Sequence, residues 1–265
     1  MVLAPMKAAN DPITSGMISL LGTFQLTLAG QPVPISSGSK SELLLTQLAL
    51  ARRQPIQRDL LLDRLWPNYD ATLASQSLNT LIYQINKLTK PLPESVTLVQ
   101  HDNGYYTLNT SDGIGLDIDY FETWASMGQR LVEQGDLEQG IQYFDQALSL
   151  YRGDLVAVDD IQTLLERERL RTAYLNILAT LADHHMSQDA KKALTYLHQL
   201  LQYDPCREDA HRLAMCCYVQ LGTRAQALRQ YQLCTHILAT EFDIKPEPET
   251  EALYHQIRTN PESLL

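Results

Sequence analysis

Alternating apolar residues at Phe24, Leu26 and Leu28 predict a strand with one buried face, inside a segment that runs from Met17 to Ala29. Ala29-Gly30-Gln31-Pro32 reads as a turn. Val33-Pro34-Ile35 reads as a short return strand, which its prolines confine to a sheet edge. The period then changes to three and four. Leu43, Leu44, Leu45, Leu48 and Leu50 predict a helix ending near Arg52, with Ser39 or Ser41 placed to cap it and Gln54-Pro55-Ile56 breaking it. A second helix covers Arg58 to Trp66 and stops at Pro67-Asn68. A third spans about Ala71 to Leu88, its apolar positions being Leu73, Leu78, Leu81, Ile82, Ile85 and Leu88. The other faces of this helix carry amides and hydroxyls in place of the usual Glu and Lys, and Pro91 and Pro93 end it. Val96 to Gln100 and Tyr105 to Leu108 flank His101-Asp102-Asn103-Gly104, a β-hairpin with glycine where a positive φ is needed.

From Asp117 onward the period is helical throughout, and it repeats. Ala193-Leu194-x-x-Leu197-x-x-Leu200 and Ala227-Leu228-x-x-Tyr231-x-x-Cys234 lie 34 residues apart. Gly140-Ile141-x-x-Phe144-x-x-Ala147 is a third copy, 53 residues upstream of the first of these. Small residues at fixed helical spacing let two helices approach, and a period of 34 is that of tetratricopeptide-type helical hairpins. Trp124-x-x-Met127-Gly128-x-x-Leu131 supplies the first helix of a hairpin, with Gly128 giving close approach, and Asp136 to Tyr151 the second. Leu164 to Met186 pairs with Asp189 to Tyr203, and Glu208 to Leu221 with Arg224 to Glu241. A last helix, about Glu249 to Arg258, caps the apolar end of the stack. Arg152 to Leu165 interrupts the repeat, which explains the longer first interval.

Charge separates the two halves. The net charge is −10. Residues 17–112 hold seven Lys/Arg against seven Asp/Glu, whereas residues 113–265 hold 13 against 23. The neutral half with its clustered cations is the one that suits a polyanion. Cys206, Cys216, Cys217 and Cys234 fall in helices without a CxxC unit and read as small apolar residues in a reducing compartment; a zinc site with His211 is the alternative. No apolar run is long enough for a membrane span, so no membrane partner is expected. Residues 1–16, with Pro5, Pro12 and Gly16, read as a flexible leader without a secretory h-region.

Strands, three helices and a hairpin follow one another in the order of a winged helix-turn-helix. A helix fits the major groove, where amides and hydroxyls read base edges, while cations at helix ends hold phosphates. Ser75, Gln76, Asn79, Thr80, Tyr83 and Gln84 are the candidate groove-facing residues of the third helix. The fold class expected is mainly α with a small β part: a winged helix-turn-helix over 17–112, then an α-helical tetratricopeptide-like array over 113–265.

Leu21-Gly22-Thr23-Phe24, Arg58-Asp59-x-Leu61-x-Asp63-x-Leu65-Trp66-Pro67 and Leu78-x-x-x-Ile82-x-x-Ile85-x-Lys87-Leu88 recur in this order, followed by Gly104-Tyr105 and Asp117-x-Asp119-x-Phe121-Glu122. In this ordered set the chain resembles the SARP (antibiotic regulatory protein) family of bacterial transcriptional activators, over about residues 17–258. The resemblance implies an OmpR-like winged helix joined to a bacterial transcriptional activator domain, and double-stranded DNA as partner. It further implies homodimeric binding to direct repeats and recruitment of RNA polymerase through its sigma factor. It makes Arg58 and Lys87 phosphate or base contacts, Arg52, Arg53 and Lys90 phosphate contacts, and Trp66 a core residue packed on Leu65 and the third helix. One departure is Thr89, where the family commonly has a cation; fewer phosphate contacts give a shallower salt dependence.

Arg167-Glu168-Arg169-Leu170-Arg171 is the dense cationic run of the acidic half. Pairing with Glu166 and Glu168 explains it simply. Otherwise Arg167, Arg169 and Arg171 form an anion or interface site, open to a small-molecule effector. No Walker loop, GxSxG, HExxH or paired-cysteine motif is present, so no enzyme activity and no cofactor are expected. The sequence therefore points to a cytoplasmic DNA-binding transcriptional regulator. The alternative is a non-enzymatic signalling adaptor that binds a protein or a small anionic ligand through the array.

Overall fold

The computed structural model describes residues 16–52, 54–90, 92, 96–110, 113–156 and 161–260. Of the leader expected over residues 1–16, residues 1–15 lie outside the described residues, as do Arg53, Pro91 and Pro93. Gly16, placed in the leader by sequence, already belongs to the first strand.

The segment Met17–Ala29, in which the alternation at Phe24, Leu26 and Leu28 predicts one strand, holds two. β1 (Gly16–Ser19) and β2 (Gln25–Leu28) pair antiparallel with Ile18 opposite Leu26, and β3 (Gln31–Val33) extends the sheet beside β2. The break has a physical cause. The amides of Leu20 and Leu21 leave the ladder and donate to the Asp117 carboxylate at 2.8 to 2.9 Å. A three-residue strand, β7 (Ile114–Leu116), completes this sheet parallel to β1, giving the order β3-β2-β1-β7.

Helix α1 (Lys40–Leu50) is capped by Ser39, whose hydroxyl accepts from the Glu42 amide. The break after it contains a two-residue strand, β4 (Ile56–Gln57), which leads directly into α2 (Arg58–Leu65). α3 (Ala71–Lys87) is capped by Asp70, which accepts from the amides of Thr72 and Leu73. β5 (Val99–Asp102) and β6 (Tyr105–Leu108) form the expected hairpin around Asn103-Gly104, both with positive φ, and β4 pairs on the other edge of β6. Leu44, Leu45, Leu48, Leu61, Leu65, Leu78, Ile85, Leu98 and Tyr106 are buried between these elements. Helices and hairpin thus share one small core, as a winged helix-turn-helix requires.

α4 (Asp117–Glu133) and α5 (Leu137–Leu150) pack on each other through glycine. A Cβ at Gly128 would lie 2.5 Å from the Phe144 ring, and one at Gly140 would lie 3.0 Å from the Gly128 carbonyl oxygen. The interruption of the repeat also has a place. Asp154 and Val156 hydrogen-bond through their backbones to Gly22 and Leu20, and Leu155 bridges to Leu21. The extra residues therefore pair with the backbone that follows β1.

The chain divides after Leu170 into two units. The second holds most of α6 (Ile161–Met186), with α7 (Ala190–Tyr203), α8 (Glu208–Gln220), α9 (Arg224–Phe242) and α10 (Pro248–Thr259). Tyr174 meets Tyr203 edge-on and His185 stacks on Tyr196, joining α6 to α7. Met215, Val219, Ala227 and Ile257 form a core across α8, α9 and α10, and Tyr231 stacks on Tyr254 at 4.1 Å. α10 is the expected cap. His211 is a buried connector: Nε2 donates to the Pro205 carbonyl at 2.9 Å and Nδ1 accepts from Gln230 at 2.7 Å, while burial lowers its pKa. All four cysteines are free, and burial pushes the thiols of Cys217 and Cys234 up to about 11 and about 12. Among the described residues no group of three potential ligands is arranged to hold a metal ion, and no helix is long and apolar enough to cross a membrane.

Candidate nucleic-acid interface

The amphipathic pattern of α3 sorts its side chains. Ala74, Leu78, Leu81 and Ile85 face the core. Gln76, Asn79, Thr80, Tyr83, Gln84 and Lys87 are exposed, at steps of three and four that define one continuous stripe. Lys90 continues it beyond the last turn and is exposed too. Lys87 and Lys90 have no ion-pair partner among the described residues, so their charges remain available to phosphate. Along one flank runs an open groove of about 500 Å³ lined by Lys40, Trp66, Leu73, Gln76, Ser77, Thr80, Leu81 and Gln84. Lys40, exposed at the first position of α1, is a candidate phosphate contact that the sequence reading missed. The missed signal is positional: the N-terminus of one helix packs beside the exposed face of another. Trp66 is only half-buried and lines this groove, so it is less of a core residue than its place in the sequence suggested.

Arg58 is placed differently from Lys87. Its guanidinium turns inward along α3. Nε donates to Ser75 Oγ at 3.2 Å, Nη2 to Ser75 Oγ at 3.1 Å, to the Ser75 carbonyl at 3.2 Å and to Asn79 Oδ1 at 3.1 Å, and Nη1 to the Tyr106 hydroxyl at 2.7 Å. Its backbone amide donates to the Gly104 carbonyl at 2.9 Å. One residue thus ties α2, α3 and the wing together. Asn86 does the same at the far end of α3: its amide pairs with both the N–H and the C=O of Val99, at 2.8 and 2.9 Å, like an added strand. Thr89 is buried, and its hydroxyl donates to the Asn86 carbonyl at 2.7 Å. A cation at position 89 would point into the fold here, so the departure from the family pattern removes no outward charge.

Arg52 and the arginines at the start of α6 are engaged elsewhere. Arg52, in the left-handed region with φ +48°, pairs with Glu122 and Glu166 and lies 3.8 Å from Asp119. It is not part of the α3 stripe. Arg169 pairs with the same Glu122 and Glu166. Hydrogen bonding from Arg169 holds the Glu166 carboxyl below its ordinary range, with the charge of Arg52 adding to it against the effect of burial. Arg167 donates to the Leu155 carbonyl at 3.2 Å, and Arg171 to that of Tyr203. Each of the three arginines expected to form an anion or interface site therefore donates to an acceptor within the protein.

The arrangement can present a polar helix to a groove, flanked by ammonium groups and braced from behind. Comparison with known proteins agrees with this geometry. Residues 116–258 match the family model of the bacterial transcriptional activator domain. The chain is 25% identical over 252 residues to the transcriptional regulatory protein MoaR1 of Mycobacterium tuberculosis, covering 92% of this chain and 80% of the relative. It is 28% identical over 254 residues to the regulatory protein DnrI of Streptomyces peucetius, covering 91% of each. The structure of Mycobacterium tuberculosis EmbR in complex with a low affinity phosphopeptide superposes with a TM-score of 0.71 at 23% identity, over 94% of this chain and 68% of that one, and shares the fold.

Proposed function

The chain belongs to the bacterial transcriptional activator domain family, and from that premise we propose that it is a DNA-binding transcriptional activator that inserts α3 into the major groove. The observation that carries this reading is the exposed stripe Gln76-Asn79-Thr80-Tyr83-Gln84, continued by Lys87 and Lys90. Amides, hydroxyls and a phenol suit base edges, and ammonium groups one and two turns further suit the sugar-phosphate rail. The Asn103-Gly104 turn of the wing lies on the same domain and approaches a neighbouring groove. The acidic helical half contacts a second protomer, RNA polymerase or an effector, repelled by DNA and free to bind protein. The protein is not an enzyme on this reading and works in the cytoplasm, where its target is.

Selection of bound duplexes from a random library, followed by a salt titration on the selected site, tests the proposal. Affinity falls as salt rises, because each neutralised phosphate releases counterions. Lys87→Ala and Lys90→Ala each weaken binding across all sequences and reduce the salt slope by about one unit. Binding that ignores salt, or a slope that neither substitution changes, refutes it and leaves the adaptor reading.

A further inference from the structure

An asparagine facing a major groove can read adenine with both ends of its amide, the oxygen accepting from N6 and the nitrogen donating to N7. Asn79 occupies the middle of the exposed stripe, yet its two ends are not equally available. The Arg58 guanidinium donates to Asn79 Oδ1 at 3.1 Å while the same group is anchored on Ser75 and Tyr106. Tyr106 is buried and Ser75 half-buried, so this anchor is fixed by the core and not by solvent.

Two consequences follow from this geometry. The bond fixes which way the Asn79 amide is turned, with its oxygen toward Arg58 and its NH2 group away. It also sets a full positive charge behind the amide. The amide therefore turns its donors away from Arg58, and one of the two acceptor sites of its oxygen is already taken by a cation. The guanine edge presents two acceptors, O6 and N7, and the adenine edge one acceptor beside a donor. We infer that Asn79 is a specificity-determining residue that favours guanine, its donors turned away from Arg58, which acts as a positioning residue. This inference rests on α3 being the groove-reading helix and goes beyond it by naming the base.

Ser75 and Tyr106 have parts in the same device. Ser75 Oγ takes two of the Arg58 donors, and the Tyr106 hydroxyl takes a third. Tyr106 also stacks on His101 of the wing at 4.5 Å. The orientation of one base-reading amide is thereby linked to the hairpin that carries the wing. The resemblance, which makes Arg58 a phosphate or base contact, misses this, because nothing in the local pattern shows that its charge is turned inward.

The experiment is selection from random duplexes with the full chain, comparing wild type, Asn79→Ala and Arg58→Met. Wild type selects a guanine at one position that Asn79→Ala relaxes by roughly tenfold, leaving the other positions unchanged. Arg58→Met, which keeps the straight stem but removes the donors, admits adenine at that same position. Its salt slope stays at the wild-type value, whereas loss of a phosphate contact would reduce it by about one unit. Far-ultraviolet circular dichroism checks that Arg58→Met folds; if it does not, the Asn79→Ala profile decides alone. The inference is overturned if the position relaxed by Asn79→Ala is an adenine in wild type, if no position is relaxed, or if folded Arg58→Met keeps its guanine. Wild type that selects no sequence overturns the proposed function first, and is told apart by the absence of any enriched site.

Discussion

Single side chains decide where the sheet ends and how the acid response of the fold runs. Asp117 opens α4 and accepts from the Leu20 and Leu21 amides, which it takes out of the β1 ladder. Its side chain is buried, and that burial pushes its pKa up to about 6, against the pull of the two amides and of Arg152 at 3.9 Å. The folded state then holds a proton between about pH 4 and pH 6 that the unfolded chain has released. Stability from this group is fully present below the unfolded value and is lost as pH rises through the folded one. The span corresponds to roughly 3 kcal/mol. In Asp117→Asn this proton is absent, and an NH2 group faces backbone donors. The variant is expected to be less stable than wild type, with a deficit that shrinks as pH rises from 4 to 6. Urea denaturation across that window measures it. A deficit that grows with pH would mean that the amides outweigh burial and the carboxyl titrates low. The sequence showed Asp117-x-Asp119 as a family feature but not its partner, since the partner lies 97 positions away. The exposed residues of α3 were legible for the opposite reason: helical spacing alone decides which of them point outward.

Elements were legible in proportion to their length. Among the described residues, the seven helices from Asp117 onward follow from the three-and-four spacing, and the three of the winged helix from the same spacing with their caps. The strands were read less well. β4 and β7 have two and three residues, too few for alternation to register, and β7 is set by pairing with β1 across almost a hundred residues. The interrupted repeat was seen as an interval, but not as a segment that covers Leu20 to Gly22.

Glycine gives the clearest test at this scale. In a helix interior, Gly→Ala is ordinarily stabilising by about 1 kcal/mol. At Gly128 the added methyl would meet the buried Phe144 ring at 2.5 to 2.6 Å, closer than real contacts allow, with Gly140 backbone at 3.0 Å behind it. The overpacking cost of about 1–3 kcal/mol exceeds the gain. Gly128→Ala is therefore expected to lower the melting temperature by several degrees. Gly128→Ala with Phe144→Leu, which vacates the space, recovers part of the loss. A single variant as stable as wild type would show that α4 and α5 do not approach as described.

At the scale of the whole molecule the problem is to keep an acidic chain on DNA. The net charge of −10 repels the duplex, so outward cations of the winged helix have to remain unpaired, while the others are free to serve the fold. The structure sorts them in this way. Lys40, Lys87 and Lys90 are exposed around α3. Arg52 is drawn among Glu122, Glu166 and Asp119, which joins the end of α1 to α4 and to the start of α6. The resemblance to the family suggested a phosphate contact for Arg52, because position along the chain does not reveal three carboxylates gathered from 67 to 114 residues further on. Arg52→Met separates the two roles, since methionine keeps the unbranched stem and the same backbone demand at φ +48°. If Arg52 serves the fold, the variant loses about 1 kcal/mol, the scale of half-exposed ion pairs, and loses less of it at high salt, where such pairs are screened. Its DNA salt slope remains that of wild type, in contrast to Lys87→Ala. Thermal denaturation at low and high salt, beside the duplex titration, reads both quantities on one preparation. A slope reduced by about one unit with unchanged melting would return Arg52 to the phosphate rail. The carboxylate cluster would then be an arrangement of the unbound protein that DNA displaces.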